Sequence, residues 1–222
     1  MISIIMPISP DTIISNIYVT LDSISTQTIS DWYVYISIPF NMKEIMNNIT
    51  HNHINCKCIV LPDVFVSKYD TINAIVDQIT GEWIAIVEPG DDWYSNKLES
   101  QLEYSNKYDI IGTGCRFYGA RSGMPDISYY KIKSEAFIRG RTIIDNTIIM
   151  KKHLCRFNTK YGIHSDYRMF CKHFINGIPC YNIPEVLTVC KISSRYDNDV
   201  LQLEILKKLK RKYLKQLILI NN

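Results

Sequence analysis

Along the first half of the chain, short unbroken apolar runs take turns with stretches whose apolar positions recur every three or four residues. Ile2-Ser3-Ile4-Ile5-Met6, closed by Pro7, reads as a buried strand. Ile13, Ile17, Leu21 and Ile24 then fall at helical spacing, with Pro10 and Asp11 placed to start the helix. Trp32 to Ile38 is aromatic and β-branched and ends at Pro39, which predicts a second strand. Met42 to Ile49 predicts a polar helix, Cys58 to Leu61 a third strand, and Ile72, Ile75, Val76 and Ile79 another helix. Trp83 to Val87 is an apolar strand between Gly81 and Gly90. Ser95 is placed to cap the helix that carries Leu98 and Leu102.

Such alternation predicts parallel βαβ units, with helices on both faces of one sheet. The second half is less regular. Arg141 to Met150 and Val186 to Ile192 predict strands, and Asp166 to Phe174 predicts a helix. Val200 to Ile220 predicts a long amphipathic helix with Leu201, Ile205, Leu209 and Leu217 among its apolar positions. A length of 222 residues suits one sizeable core better than two. The expected organisation is a single α/β domain over residues 1–195, followed by a basic helix over residues 196–222 that packs on it or extends from it.

Composition narrows the function classes. Hydrophobic residues make up 46% and charged residues 21%, a globular balance rather than a disordered or fibrous one. Much of the net charge of +3 lies in Lys207, Lys208, Lys210, Arg211, Lys212 and Lys215, so the body is near neutral. Basic and aromatic residues do not interleave over any face, which argues against nucleic acid as a partner. Met1 to Ile8 lacks the basic flank and small-residue cleavage site of a targeting segment, and no window approaches the roughly 18 to 20 apolar residues of a membrane span. Seven scattered cysteines suit reduced thiols and a cytoplasmic location. The terminal helix has two readings: its Leu and Ile stripe packs on the domain, which is favoured, or it lies on an anionic membrane surface.

The chemistry concentrates in Glu88-Pro89-Gly90-Asp91-Asp92-Trp93, where a buried strand runs into a glycine turn with three carboxylates. Ligands of open parallel sheets bind beyond the carboxyl ends of the strands. Like charges packed together need a cation or donors to compensate them. A hard divalent ion with oxygen ligands, Mn²⁺ or Mg²⁺, would do so and would also hold a diphosphate. The alternative is an Asp-rich turn whose side chains simply cap the helix at Ser95. Spacing leaves both open.

The segment Asp91-Asp92-Trp93-Tyr94-Ser95-Asn96-Lys97-Leu98-Glu99 resembles the aspartate motif of family 2 glycosyltransferases. Other stretches agree in order: Ser3-Ile4-Ile5-Met6-Pro7; Asp22-Ser23-Ile24-Ser25-Thr26-Gln27-Thr28-Ile29-Ser30-Asp31-Trp32; Asn73 ahead of Gly81-Glu82-Trp83-Ile84; and His164-Ser165-Asp166-Tyr167 followed by Ile183-Pro184-Glu185-Val186-Leu187. Together they cover about residues 2 to 194. The resemblance implies a single GT-A fold, Rossmann-like, and inverting transfer from a nucleotide-diphosphate sugar, a UDP-sugar first among them. It implies a glycan, lipid-linked or protein acceptor, and leaves a homodimer open.

Carried over residue by residue, the resemblance gives Asp166 the role of catalytic base. Asp91, Asp92 and Glu88 become the metal site. Pro7, Ser9, Ile38 and Asn73 meet the donor nucleotide, and Trp93, Asn146 and His164 line the acceptor cleft. Two departures stand out. Pro89 occupies the place of the family's first aspartate, and the second strand ends Ser37-Ile38-Pro39-Phe40 with no carboxylate. They support a rival reading, a GT-A-fold binding or scaffold protein that has lost the chemistry. Two further signals are weak. His51, His53, Cys56 and Cys58 are zinc-type ligands at an unusually tight spacing, and Gly112-Thr113-Gly114 lacks the third glycine of a dinucleotide loop.

Overall fold

The computed structural model describes residues 1–39, 42, 44, 46–52, 55–61, 67–125, 130–133, 137–138, 143–192 and 200–221. Strands β1 (Ile2–Pro7), β2 (Trp32–Pro39), β3 (Cys56–Leu61) and β4 (Trp83–Ile86) lie parallel in the order β3-β2-β1-β4. Beyond β4 come β8 (Ile149–Lys151), β6 (Ile110–Gly119), β9 (Cys180–Ile192) and β5 (Asp92–Trp93), with β7 (Tyr130–Lys131) also on β9. β8 runs against both of its neighbours, so β6 and its parallel partner β9 return to the direction of β1. Six of the nine strands therefore share one direction, and the expected mostly parallel sheet is what the described residues build.

The period-two alternation of the strands divides the core in two. Ile2, Ile4 and Met6 join Val34, Ile36, Trp83 and Ala85 on one face, where Ile17, Leu21 and Ile24 of α1 (Ile14–Ser25) and Leu98 of α4 (Lys97–Leu102) cover them. Ile49 of α2 (Met46–Asn52) joins the same face. On the other face Ile5, Tyr35, Ile84, Ile86 and Met150 pack against three helices. These are α3 (Lys68–Val76), α5 (Ser165–Ile175) and α6 (Val200–Asn221). Leu209, Tyr213 and Leu217 of α6 are buried there, so its apolar stripe lies on the domain. No helix among the described residues is long and apolar enough to cross a membrane.

Several boundaries differ from the sequence expectation. The strand expected over Arg141 to Met150 shrinks to Ile149–Lys151, and residues 139–142 lie outside the described residues. Asp145–Thr147 instead forms a short 3₁₀ turn, because Thr147 donates twice to the Ile144 carbonyl, from its hydroxyl at 2.7 Å and its backbone N–H at 3.0 Å. The α1 helix starts at Ile14 rather than at Pro10 and Asp11, since Ser9 and Thr12 tie that stretch into a turn of its own. Ser95 is not the cap of α4. Its carbonyl accepts from Thr28 N–H, and the free Leu98 N–H at the helix start donates to Gln27 Oε1 at 3.0 Å, a cap supplied by another segment. The expected domain boundary after residue 195 falls outside the described residues, as does Phe40.

Lys97 is wholly buried beneath the acidic turn. Its Nζ donates to Gln101 Oε1 at 2.8 Å and stands 4.1 Å from the Trp93 ring centroid. Burial lowers its pKa to about 7 from the ordinary 10.5. Between those values the unfolded chain holds a proton that the folded chain does not, so raising the pH favours folding. Urea midpoints of the wild type should therefore rise between pH 7 and pH 9.5, by about 1 to 3 kcal/mol in stability. Lys97→Met should flatten that rise; an equal slope in both proteins would show that Lys97 titrates normally.

Candidate functional site

The carboxyl ends of β1, β2, β3, β4, β6 and β9 open on one edge of the sheet, and the acidic turn leaves β4 there. Asp91 N–H closes the turn on the Glu88 carbonyl at 2.9 Å. Gly90 has φ +101°, and a Cβ at that position would stand 2.5 Å from Lys191 Cδ, so only glycine fits both the conformation and the space. Thr20, buried on α1, accepts from Gly90 N–H at 2.9 Å and donates to the Asp91 carbonyl at 2.7 Å. The turn is thus fixed by a helix more than 60 residues earlier in the chain.

The Asp91 carboxylate is fully buried and accepts three N–H groups. Oδ1 takes the backbone N–H of Lys191 at 2.9 Å. Oδ2 takes the backbone N–H of Glu88 at 3.1 Å and the Asn146 side-chain amide at 2.9 Å. Burial, and then the charge of Glu88, push its pKa above the usual carboxylate range, while the backbone donors work the other way.

Beside it lies a second arrangement, centred on an ammonium group. Lys68, the first residue of α3, places Nζ against the Glu88 carboxylate, 2.8 Å from Asp145 Oδ2 and 3.2 Å from Asn146 Oδ1. Burial works against its charge, but Asp145 and Glu88 outweigh that and raise its pKa well above the ordinary lysine value. Asn146 joins the two halves, with its oxygen toward Lys68 and its nitrogen on Asp91.

The structure thus brings Glu88, Asp91 and Asn146 together. Asp92 is exposed and pairs in β5 with Val189 of β9. Trp93, expected in the acceptor cleft, is a core residue packed with Leu98. Ile38 is fully buried inside β2, Pro7 ends β1, and Ser9 lies exposed just beyond, donating to Asp11 Oδ1 at 2.6 Å. Asn73, expected at the donor nucleotide, commits its amide to the Phe157 backbone, donating at 2.9 Å and accepting at 3.0 Å. Asp166 is buried in the first turn of α5, and His164 precedes that helix as its N-terminal cap residue. Tyr69 stacks on Phe157 at 4.6 Å and reaches Asp145 through its hydroxyl at 3.4 Å.

A divalent metal does not fit this donor set. Asp91's oxygens are already engaged by N–H groups, and Glu88 and Asp145 face an ammonium rather than open space. Among the described residues no group of three His, Cys, Asp or Glu side chains could hold a metal ion. His53, of the zinc-type set, lies outside the described residues. Gly112 serves packing instead of nucleotide binding: a Cβ there would collide with Asn182 Oδ1 of the neighbouring strand.

Sequence reasoning missed Lys68 and Asp145. A signal was present, because a lysine at the first position of a helix opposes the helix dipole and calls for acids nearby. Those acids sit 20 and 77 residues away, where no local pattern links them.

No protein-family model matches the chain, and no curated protein matches it in sequence. Solved structures do match it in fold. S. aureus TarS 1-349 in complex with UDP superimposes with a TM-score of 0.75 at 14% identity, over 96% of this chain and 64% of that one. The same protein in complex with UDP-GlcNAc gives 0.74 at 15% identity, over 94% and 65%. The mannosyltransferase PcManGT from Pyrobaculum calidifontis, in complex with GDP-Man and Mn²⁺, gives 0.65 at 15% identity, over 88% and 58%. At these identities the likeness shows the fold, a GT-A-like α/β fold shared with glycosyltransferases. The chain spans just under two thirds of the TarS 1-349 chains it matches.

Asp91→Asn keeps the size of the side chain but sets an amide against N–H donors that need an acceptor. We expect a loss of about 1 to 3 kcal/mol in stability by urea denaturation; an unchanged midpoint would mean the carboxylate is not what holds the turn.

Proposed function

We propose that this chain binds a nucleotide-diphosphate sugar at the carboxyl edge of its sheet and transfers the sugar, with inversion, to an acceptor hydroxyl. One observation carries the reading. The acidic turn, the Asp145–Asn146 turn and the start of α3 converge at that edge, in a chain whose fold matches structures solved with UDP, UDP-GlcNAc and GDP-Man. The resemblance in the aspartate motif and around Asp166 supports the same reading from the sequence.

In the proposed reaction the acceptor oxygen attacks the anomeric carbon from the face opposite the diphosphate. Its proton passes to the Asp166 carboxylate, and the electron pair of the breaking sugar–oxygen bond leaves with the nucleotide diphosphate. The transition state has oxocarbenium character, so a positioned base and a compensated leaving group both lower its energy. The reaction is proposed without Mn²⁺ or Mg²⁺, because two of the three acids expected to hold one, Asp91 and Glu88, are engaged by N–H groups and by the Lys68 ammonium. Glycan, lipid-linked and protein acceptors all suit this chemistry. The exposed Ile218, Leu219 and Ile220 at the end of the lysine-rich α6 support a lipid surface as the place of an acceptor.

A second reading has its own support. β2 ends at Ile38 and Pro39 without an acid for the nucleoside, and Asp91 is satisfied within the protein. Both features suit a protein that binds the ligand without turning it over.

Turnover of UDP-GlcNAc and GDP-mannose, read as released nucleotide diphosphate with and without an alcohol acceptor, separates the two readings. Asp166→Asn should cut transfer by about 10² to 10⁴ while UDP binding and the melting temperature stay near wild type. Turnover at the normal rate in that variant would remove Asp166 from the mechanism. Binding with no turnover in the wild type would favour the second reading.

A further inference from the structure

The resemblance places a divalent cation at the acidic turn, yet the oxygens that would surround it already surround a side chain. Glu88, Asp145 and the Asn146 carbonyl oxygen come from two separate turns and meet at Lys68 Nζ. This is an all-oxygen set, the kind that hard divalent ions take. The Asn146 amide can turn only one way here, because its nitrogen is held by Asp91 at 2.9 Å, so its oxygen is fixed toward the ammonium. Tyr69 adds its ring face, 5.5 Å from Nζ, and its hydroxyl bonds the same Asp145 oxygen that Lys68 does. The ammonium is therefore held by several elements at once and is not a loose surface contact.

Two further facts bear on what this ammonium does. The Lys68 side chain keeps 19% of its surface accessible and Glu88 keeps 33%, so the cluster opens to the carboxyl edge and a ligand can reach it. A second lysine stands on the other side of the turn. Lys191 donates its backbone N–H to Asp91 and its Nζ to Asn16 Oδ1 at 2.9 Å. Two fixed positive charges thus flank a turn whose acids would otherwise repel an anionic ligand. A divalent ion brought among Glu88, Asp145 and Asn146 would stand beside the Lys68 ammonium, and like charges at that separation repel strongly in a partly buried site.

We infer that the Lys68 ammonium takes the place of the divalent cation at this site: the protein binds a nucleotide diphosphate without metal, and removing Lys68 opens an oxygen site that accepts Mn²⁺. Its ligand half rests on the function proposed above; its metal half stands on the Lys68 geometry alone.

Two measurements on the whole chain test it, with wild type, Lys68→Ala and Lys68→Met. The first is Mn²⁺ titration followed by electron paramagnetic resonance, with no nucleotide present. Wild type should leave the free Mn²⁺ signal unchanged, and Lys68→Ala should bind the ion and gain thermal stability from it. Lys68→Met keeps the stem that packs the helix start and vacates only the position of Nζ, so it reports on folding if the alanine variant melts early, and it too should bind more Mn²⁺ than wild type. The second is calorimetric binding of UDP and GDP in EDTA and in Mn²⁺. Wild-type affinity should be the same in both within about threefold, whereas Lys68→Ala should lose about tenfold or more in EDTA and recover in Mn²⁺. Mn²⁺ bound by the wild type at this cluster, or by none of the folded variants, overturns the metal half. Nucleotide bound by the wild type only with Mn²⁺ overturns the inference and leaves the proposed function standing. No binding of either nucleotide under any condition sinks the proposed function and the ligand half with it, while the Mn²⁺ titration still decides the role of Lys68.

Discussion

A carboxylate removed from water has to be met by donors, and at Asp91 those donors come from three separate places in the chain. Lys191 lies at the end of β9, Asn146 precedes β8, and Glu88 belongs to the turn itself. The geometry of the carboxyl edge follows from that requirement. Once the three N–H groups converge on Asp91, Asn146 has one orientation open to it, and its oxygen completes the set around Lys68. The glycine at position 90 allows the approach by leaving room for the Lys191 stem. Charge compensation thus sets the shape of the edge, and the two layers of apolar side chains beneath it supply a rigid base.

The sheet was legible in the sequence for a plain reason. A parallel strand covered on both faces is apolar over nearly its whole length, and Ile2 to Met6, Trp32 to Ile38 and Trp83 to Val87 announce themselves that way, with Ser3 and Ser37 the exceptions. The helices between them carry their stripe at 3.6-residue spacing. The misreadings fell where local pattern competes with something distant. Arg141 to Met150 has the composition of a strand, but Asp145, Asn146 and Thr147 form a 3₁₀ turn, and the Asp145 and Asn146 side chains bond Lys68 and Asp91. Ser95 has the right chemistry for a cap, yet Gln27, just beyond α1 on the same face of the sheet, serves that helix.

The site was legible in its acids and not in its cation. Glu88 and Asp91 could be picked out because carboxylates after a buried strand are conspicuous, whereas Asp166 is singled out by the resemblance alone. What they do depends on partners that the spacing does not encode. Asp91 reads as a ligand on paper and is a hydrogen-bond acceptor in the fold; Asn73 reads as a nucleotide contact and is a brace for Phe157. Trp93, adjacent to the acids, is pulled into the core because the strand alternation turns it inward. Lys68 and Asp145 have no motif. Their relation exists only after α3 and the segment before β8 have met.

The short strand β8 has a consequence of its own. Its three residues are the seam between the β1–β4 half of the sheet and the half built on β6 and β9, joined by Trp83–Lys151, Ile84–Met150 and Ala85–Ile149 on one side and by Ile110 and Ile111 on the other. Asp145 and Asn146 stand immediately ahead of that seam. The residues that join the two halves of the sheet are therefore continuous with those that complete the charged edge. A change in the three residues of β8 would be felt at Asp145 and Asn146 as well as in the sheet.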